Sequence, residues 1–354
     1  MTKDLFYLYE KPSAEGDLRT HNSDFIVKEI LPIQPTGEGE HHFVHIRKEG
    51  LNTNFVAEKL AKFAGVHPRD VTSAGQKDRH AITEQWFGIR IPGKETPDWK
   101  NLGLEGVTVL EAHRHNKKLR TGALSGNRFK LTIRNVTDTE DVQSRIEKIK
   151  QTGVPNYFGD QRFGHNGKNI EMARQMFSGK KIKDRNKRSI YLSAVRSNLF
   201  NQVVSKRLQI HGTDSLEGDC VQLTGSRSFF AEEKWDDTLT QRLVENDIQL
   251  SAPLWGRGEL PALGAAADLE NAALNDFAAD KEGLEKAGLE QERRPLLLKP
   301  ENLQYEFDHD KLLLEFALPA GSFATSVLRE VVNVTDVRQR QAQAAFEEQQ
   351  KAAQ

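Results

Sequence analysis

Apolar and polar positions alternate with a period of two in several stretches of the first third of the chain, and each reads as a strand. Residues 23–30 alternate so that Phe25, Val27 and Glu29 share one face, which puts a carboxylate beside two apolar neighbours. Residues 42–47 and 85–91 read as further strands. Residues 127–134 alternate cleanly, with Asn127, Phe129, Leu131 and Ile133 on one face and Arg128, Lys130, Thr132 and Arg134 on the other. Helical spacing appears at 53–64, where Val56, Leu60 and Phe63 form a stripe and Gly65 supplies a stop. Residues 141–151 read as a second helix closed by Gly153, and residues 73–82 as a loop rich in glycine and charge.

The pattern changes after Pro155. Residues 169–178 and 189–209 read as helices, and an Ala-rich acidic stretch at 268–292 reads as exposed helix. Short strands return at 304–307 and 312–317, and Ser322 opens a helix with Val327, Leu328 and Val331 on one side. Strands before about residue 135 and after about residue 303 thus flank a largely helical block, as expected for one discontinuous domain carrying an insertion. The Gln/Ala-rich tail, 337–354, reads as frayed helix or disorder with no chemistry of its own.

Composition narrows the possibilities. The 354 residues carry 50 basic and 51 acidic side chains and one cysteine, Cys220. A disulfide framework and a Cys-rich zinc site are therefore excluded, and a reduced, intracellular setting is expected. No apolar run is long enough to cross a membrane, and the first ten residues contain no signal-peptide core. The net charge of −1 argues against a generic cationic nucleic-acid binder, but the distribution is uneven. Seven basic residues between 111 and 134 face Glu111 alone, and nine between 180 and 207 face Asp184 alone. Such blocks fit either a local phosphate-binding surface or ordinary solvated faces.

Several familiar chemistries fail on their motifs. Gly159 and Gly164 have phosphate-loop spacing but lead into His165 and Asn166, and Gly37-x-Gly39 lacks its third glycine. No G-x-S-x-G elbow is present. His41, His42 and His45 lack any H-E-x-x-H context, so no metal site is expected.

Three polar constellations remain. The loop 73–80 places Asp78 between Lys77 and Arg79, two cations that would keep it ionised for nucleophilic or electrostatic work. The same spacing fits a solvated turn. Asn127 and Phe129 share a strand face, which suits stacking on a nucleobase and hydrogen bonding to it, or a plain core phenylalanine. Residues 318–323 run into a helix N-terminus at Phe323, which fits anion presentation or a hydrophobic staple.

These segments, in this order, resemble the TruD family of tRNA pseudouridine synthases. The residues carrying the resemblance are 24–29 (DFIVKE), 74–81 (AGQKDRHA), 126–129 (GNRF), 153–159 (GVPNYFG), 161–164 (QRFG) and 318–327 (LPAGSFATSV). The match spans about residue 20 to about residue 335. The resemblance implies isomerisation of uridine 13 in the D-arm of tRNA to pseudouridine, without a cofactor. It implies that Asp78 is the essential catalytic residue, that Asn127 and Phe129 line the uracil pocket and that Phe323 is a second pocket aromatic. Glu29, as a family-matched carboxylate, is expected to be an ion-pair partner in the site. Lys77 and Arg79 are expected to contact substrate beside Asp78. The implied fold is α+β. A catalytic domain with a mixed, mostly antiparallel sheet (1–154 and 301–336) is interrupted by an inserted α/β TRUD domain (155–300). The partner implied is tRNA. Apart from the resemblance, the absence of heptads makes a monomer the default expectation, and the lack of a long apolar run and the single cysteine fit a protein off the membrane in the cytoplasm. A non-catalytic RNA-binding protein on the same scaffold would not need Asp78, and the complete motif around it argues against that alternative.

Overall fold

The computed structural model describes residues 4–93 and 95–352; Lys94 and the last two residues of the tail lie outside the described residues, as do the first three of the chain. The fold is α+β. Its contacts separate into two units. One comprises Met1–Pro12, Arg145–Lys299 and Ser322–Val331; the other comprises Ser13–Ser144, Pro300–Gly321 and Val332–Gln354.

The second of these units is organised by an eight-stranded sheet. Its strands run in the order Glu301–Asp308, Lys311–Pro319, Gly126–Ile133, Phe25–Ile30, Ile82–Arg90, His41–Glu49 and Val107–His115. A short eighth strand, Val71–Ser73, pairs with the far end of Ile82–Arg90. Phe25–Ile30 lies parallel to Ile82–Arg90 and every other pairing is antiparallel. Register then decides which side chains meet. Glu29 stands opposite Asn127, Val27 opposite Phe129, and Phe129 opposite Phe316. Helix Thr53–Ala64 covers part of this sheet, packing Val56, Leu60 and Ala61 with Val44, Ile46, Phe87 and Ile89. Gly65 ends the helix in the left-handed region at φ 67°, where its N–H bonds back to Ala61 and Lys62. A separate two-stranded parallel ribbon joins Glu15–Leu18 to Asn333–Asp336.

The other unit is less helical than the hydrophobic pattern suggests. Helices Lys168–Phe177 and Arg185–His211 are present. So is a four-stranded antiparallel sheet in the order Phe229–Ala231, Cys220–Leu223, Ile248–Leu254 and Glu292–Pro295. Three of these strands are too short to display alternation, and Ile248–Leu254 is buried on both faces over most of its length. The acidic stretch forms helices Gly264–Ala273 and Ala278–Lys286, but not a wholly exposed pair. Glu270 and Asp280 are buried there, bound to Arg293 and Arg174. The tail forms helix Val337–Ala352.

Candidate active site

The loop that carries Asp78 connects Val71–Ser73 to the start of Ile82–Arg90, and buried polar groups tie its backbone down. The Lys77 N–H donates to Thr53 Oγ1 at 3.0 Å, Thr53 donates to Gln85 Oε1 at 3.1 Å, and Gln85 Nε2 donates to the Gly75 carbonyl at 2.6 Å. Thr53 and Gln85 are almost fully buried, so these bonds compete with little water. Lys48 adds a further brace. Its amine has no solvent exposure and donates to the carbonyls of Leu51, at 2.8 Å, and Asp78, at 3.3 Å. Burial pushes the Lys48 amine down to about 8, against the opposing pull of Asp78 and Glu29.

The Asp78 carboxylate is held at both oxygens. Oδ1 accepts the His80 N–H at 2.9 Å, and Oδ2 pairs with Arg19 Nη2 at 3.0 Å. The Asp78 side chain is 22% exposed and that of Arg19 only 7%. Arg19 also pairs with Asp336 through Nη1, and its guanidinium stands 4.1 Å from the Phe25 ring centroid. Its backbone is left-handed, with φ 59°, a conformation that costs a non-glycine residue about 1 kcal/mol.

Arg19 replaces the cations that adjacency in sequence suggests. Lys77 turns to Glu29, at 2.7 Å, and Arg79 Nε donates to the Gly50 carbonyl at 3.2 Å. The reason is geometric: neighbouring side chains of an extended loop diverge, so the residues flanking an acid rarely neutralise it. The Glu29 side chain is fully buried and its second oxygen accepts the Trp86 N–H at 2.7 Å. Burial raises the Glu29 carboxyl above its usual range, and Lys77, the Trp86 N–H and His45 offset this in part.

Asn127 and Phe129 share the face that carries Glu29. Phe129 is 7% exposed and sits between Phe316, at 5.5 Å, and Phe25, at 6.4 Å edge-on. Asp78, Arg19, Phe25 and Phe129 thus form a continuous line of contacts. Among the described residues, Asn127 Oδ1 is buried without a hydrogen-bond donor. Gly126, at the head of this motif, has a physical reason: a Cβ there would collide with the Leu318 carbonyl. Phe323 belongs to the other unit. It precedes helix Ala324–Val331 and lies 5.8 Å from Phe158 and 5.7 Å from the Arg162 guanidinium.

The basic blocks divide between surface and interior. Lys117, Lys118, Arg120, Arg128 and Lys130 are exposed in the first, and Lys180, Lys181, Lys183, Arg185, Lys187, Arg188 and Lys206 in the second. Arg134, Arg196 and Arg207 are instead committed to Asp24, Glu292 and Asp219.

Residues 3–183 and 178–331 match the model of the tRNA pseudouridine synthase D (TruD) family. The chain belongs to the TruD family. It is 66% identical over 338 residues to a "tRNA pseudouridine synthase D" of Shewanella oneidensis, covering 96% of this chain and 91% of that one. It is 52% identical over 337 residues to the protein of the same name from Aeromonas salmonicida, covering 95% and 96%. A TruD crystal structure from Methanosarcina mazei, 24% identical, superposes with a TM-score of 0.71 over 93% of this chain and 96% of the other, and so shares the fold. Three residues that the family segments do not include, Arg19, Lys48 and Asp336, surround the Asp78 loop. Arg19 and Lys48 bind it directly and Asp336 acts on it only through Arg19, an arrangement set by pairing between strands distant in sequence that no local pattern contains.

Proposed function

We propose that this protein is a tRNA pseudouridine synthase that isomerises uridine 13 in the D-arm of tRNA, with Asp78 as nucleophile toward a flipped-out uridine. The observation that carries the reading is the state of Asp78. It is a carboxylate fixed at both oxygens, on a loop whose backbone is itself anchored, with its side chain still 22% open to solvent. Membership of the TruD family and the names of the relatives support it.

The chemistry suits these groups. The N1–C1′ bond breaks, uracil turns and C5 joins C1′; C5 gives up a proton to solvent and N1 takes one up, and any bond that Asp78 forms to the nucleoside is broken again, so product and substrate are isomers. No electron or phosphoryl group is transferred, so the reaction needs no cofactor. The target base must leave its stack to reach a carboxylate held on an anchored loop. Phe129 is assigned to the uracil pocket, where an aromatic contact offsets lost stacking by about 1–3 kcal/mol per base. Asn127 offers its unpaired Oδ1 to a base N–H. Glu29 and Lys77 hold the floor beside it, and Arg79 is assigned to the substrate side of the loop.

Residues 155–300 are assigned to the family's inserted domain. The exposed lysines and arginines of the two basic blocks are assigned to tRNA phosphates, which predicts binding that weakens steeply with salt. Among the described residues no helix is long and apolar enough to cross a membrane. A monomer working in the cytoplasm completes the proposal.

The test is tritium release from tRNA labelled with [5-³H]uridine, with the product mapped at single-nucleotide resolution. Wild type should release tritium and modify position 13, and Asp78→Asn should bind tRNA and release none. Modification at another position would overturn the substrate assignment. No release by folded wild type would favour a non-catalytic RNA-binding protein.

A further inference from the structure

We propose that Asp336 is a positioning residue for the reaction: it shares the Arg19 guanidinium with Asp78 and so sets how tightly Asp78 is held. The proposal rests on the reading of Asp78 as the reacting group.

Strand pairing creates the arrangement. The parallel ribbon aligns Leu18 with Asp336, so the next residue, Arg19, emerges beside the Asp336 carboxylate. Arg19 Nη1 pairs with Asp336 Oδ2 and Nη2 pairs with Asp78 Oδ2 at 3.0 Å. One planar fork therefore bridges two carboxylates, a geometry that a lysine cannot reproduce. The Phe25 ring covers the guanidinium, at 4.1 Å from its centroid.

The two acids are not equivalent. Asp336 is pinned from its other side, where Oδ1 accepts the N–H groups of Arg338 and Gln339, both at 3.1 Å, and caps the terminal helix Val337–Ala352. Its side chain is 14% exposed, against 22% for Asp78. Asp336 is thus the fixed anchor of the guanidinium, and Asp78 the partner nearer solvent. A cation that already has one fixed carboxylate holds a second less tightly than a cation that has none. Asp78 can then exchange Arg19 for the nucleoside. Without Asp336, the buried guanidinium would draw on Asp78 alone and restrain it.

The experiment measures kcat and KM for tritium release from labelled tRNA with the full-length chain. Asp336→Asn keeps an acceptor for the helix cap and removes the charge. It should lower kcat about tenfold with KM within about twofold of wild type. Asp336→Glu, which keeps the charge but alters the reach, should fall between the two. In an Arg19→Lys background the Asp336→Asn change should shrink to less than about twofold, because the bridging fork is gone. A folded Asp336→Asn protein with wild-type kcat, or an undiminished loss in the Arg19→Lys background, would overturn the proposal. If Asp336→Asn does not fold, Asp336→Glu decides, with wild-type kcat overturning and a lower kcat at unchanged KM supporting. Asp78→Asn is assayed alongside. Full activity there would remove the catalytic reading itself, whereas an inactive Asp78→Asn with unaltered Asp336 variants would remove only this proposal.

Discussion

The Arg293 and Arg19 guanidiniums are both shielded from water, one in each unit of the chain, yet their surroundings differ in kind. Arg293 has no side-chain exposure. Its donors go to both oxygens of Glu270, at 2.9 and 2.6 Å, and to the hydroxyl and carbonyl of Ser251, at 3.0 and 2.6 Å. Glu270 is itself 6% exposed. Every member of that cluster is spent on another buried group, the Ser251 hydroxyl donating in turn to the Cys220 carbonyl, so it holds a sheet and a helix together. Arg19 divides its fork between an anchored carboxylate and one that reaches solvent. A buried cation becomes useful for chemistry when one of its partners can be exchanged for something from outside. Burial and pairing are common to both clusters, and access to solvent separates them.

The largest effect that would test this contrast is on stability. Glu270→Gln leaves an arginine that cannot shed its proton uncompensated in the interior, which should cost about 3–5 kcal/mol. Urea denaturation would detect it, and a variant as stable as wild type would mean that the Arg293 cluster is not closed.

Glu330 gives a second probe of a closed carboxylate. It is fully buried, accepts the Tyr9 N–H at 3.3 Å and pairs with Arg329 at 2.7 Å. Burial nonetheless pushes it up to about 7. Between the ordinary glutamate value of about 4.3 and that point, the folded chain holds a proton that the unfolded chain has released. Stability must therefore fall as pH rises through this window, by up to about 3 kcal/mol. Denaturation from pH 5 to pH 8 should show this slope in wild type and a flatter one in Glu330→Gln. Parallel slopes would contradict the assignment.

The smallest effect concerns Glu29→Gln, which sits between the two extremes. Gln retains an acceptor for the Trp86 N–H but strips Lys77 of its counterion. A lysine's compact ammonium on a flexible stem can re-aim where a fixed guanidinium fork cannot, so the expected cost is about 1–3 kcal/mol, below that of Glu270→Gln. A larger cost than Glu270→Gln would reverse the ranking of arginine and lysine clusters.

Local pattern carried much of the architecture. Helix Thr53–Ala64 is legible to its last residue because its apolar stripe and its Gly65 stop agree. The strand Gly126–Ile133 is legible because one of its faces is apolar apart from Asn127, and the register confirms that Asn127, Phe129 and Glu29 share that side. Strands buried on both faces, such as Ile248–Leu254, do not alternate and so were hidden. The electrostatics of the Asp78 loop were hidden for a different reason. Sequence places Lys77 and Arg79 next to Asp78, but the pairing of Glu15–Leu18 with Asn333–Asp336 delivers Arg19 instead. Short-range pattern reads elements, while the partners of a charge are set by topology.

The most direct test of the contrast measures two quantities on two variants: kcat for tritium release from tRNA and the midpoint of urea denaturation, for Asp78→Asn and Glu270→Gln. The two variants should show opposite losses. Asp78→Asn should lose at least about a thousandfold in kcat with a denaturation midpoint near wild type. Glu270→Gln should lose stability while the folded fraction keeps wild-type kcat. Asp78→Asn retaining its activity, or the two variants losing kcat and stability together, would contradict the division between a closed structural cluster and an open catalytic one.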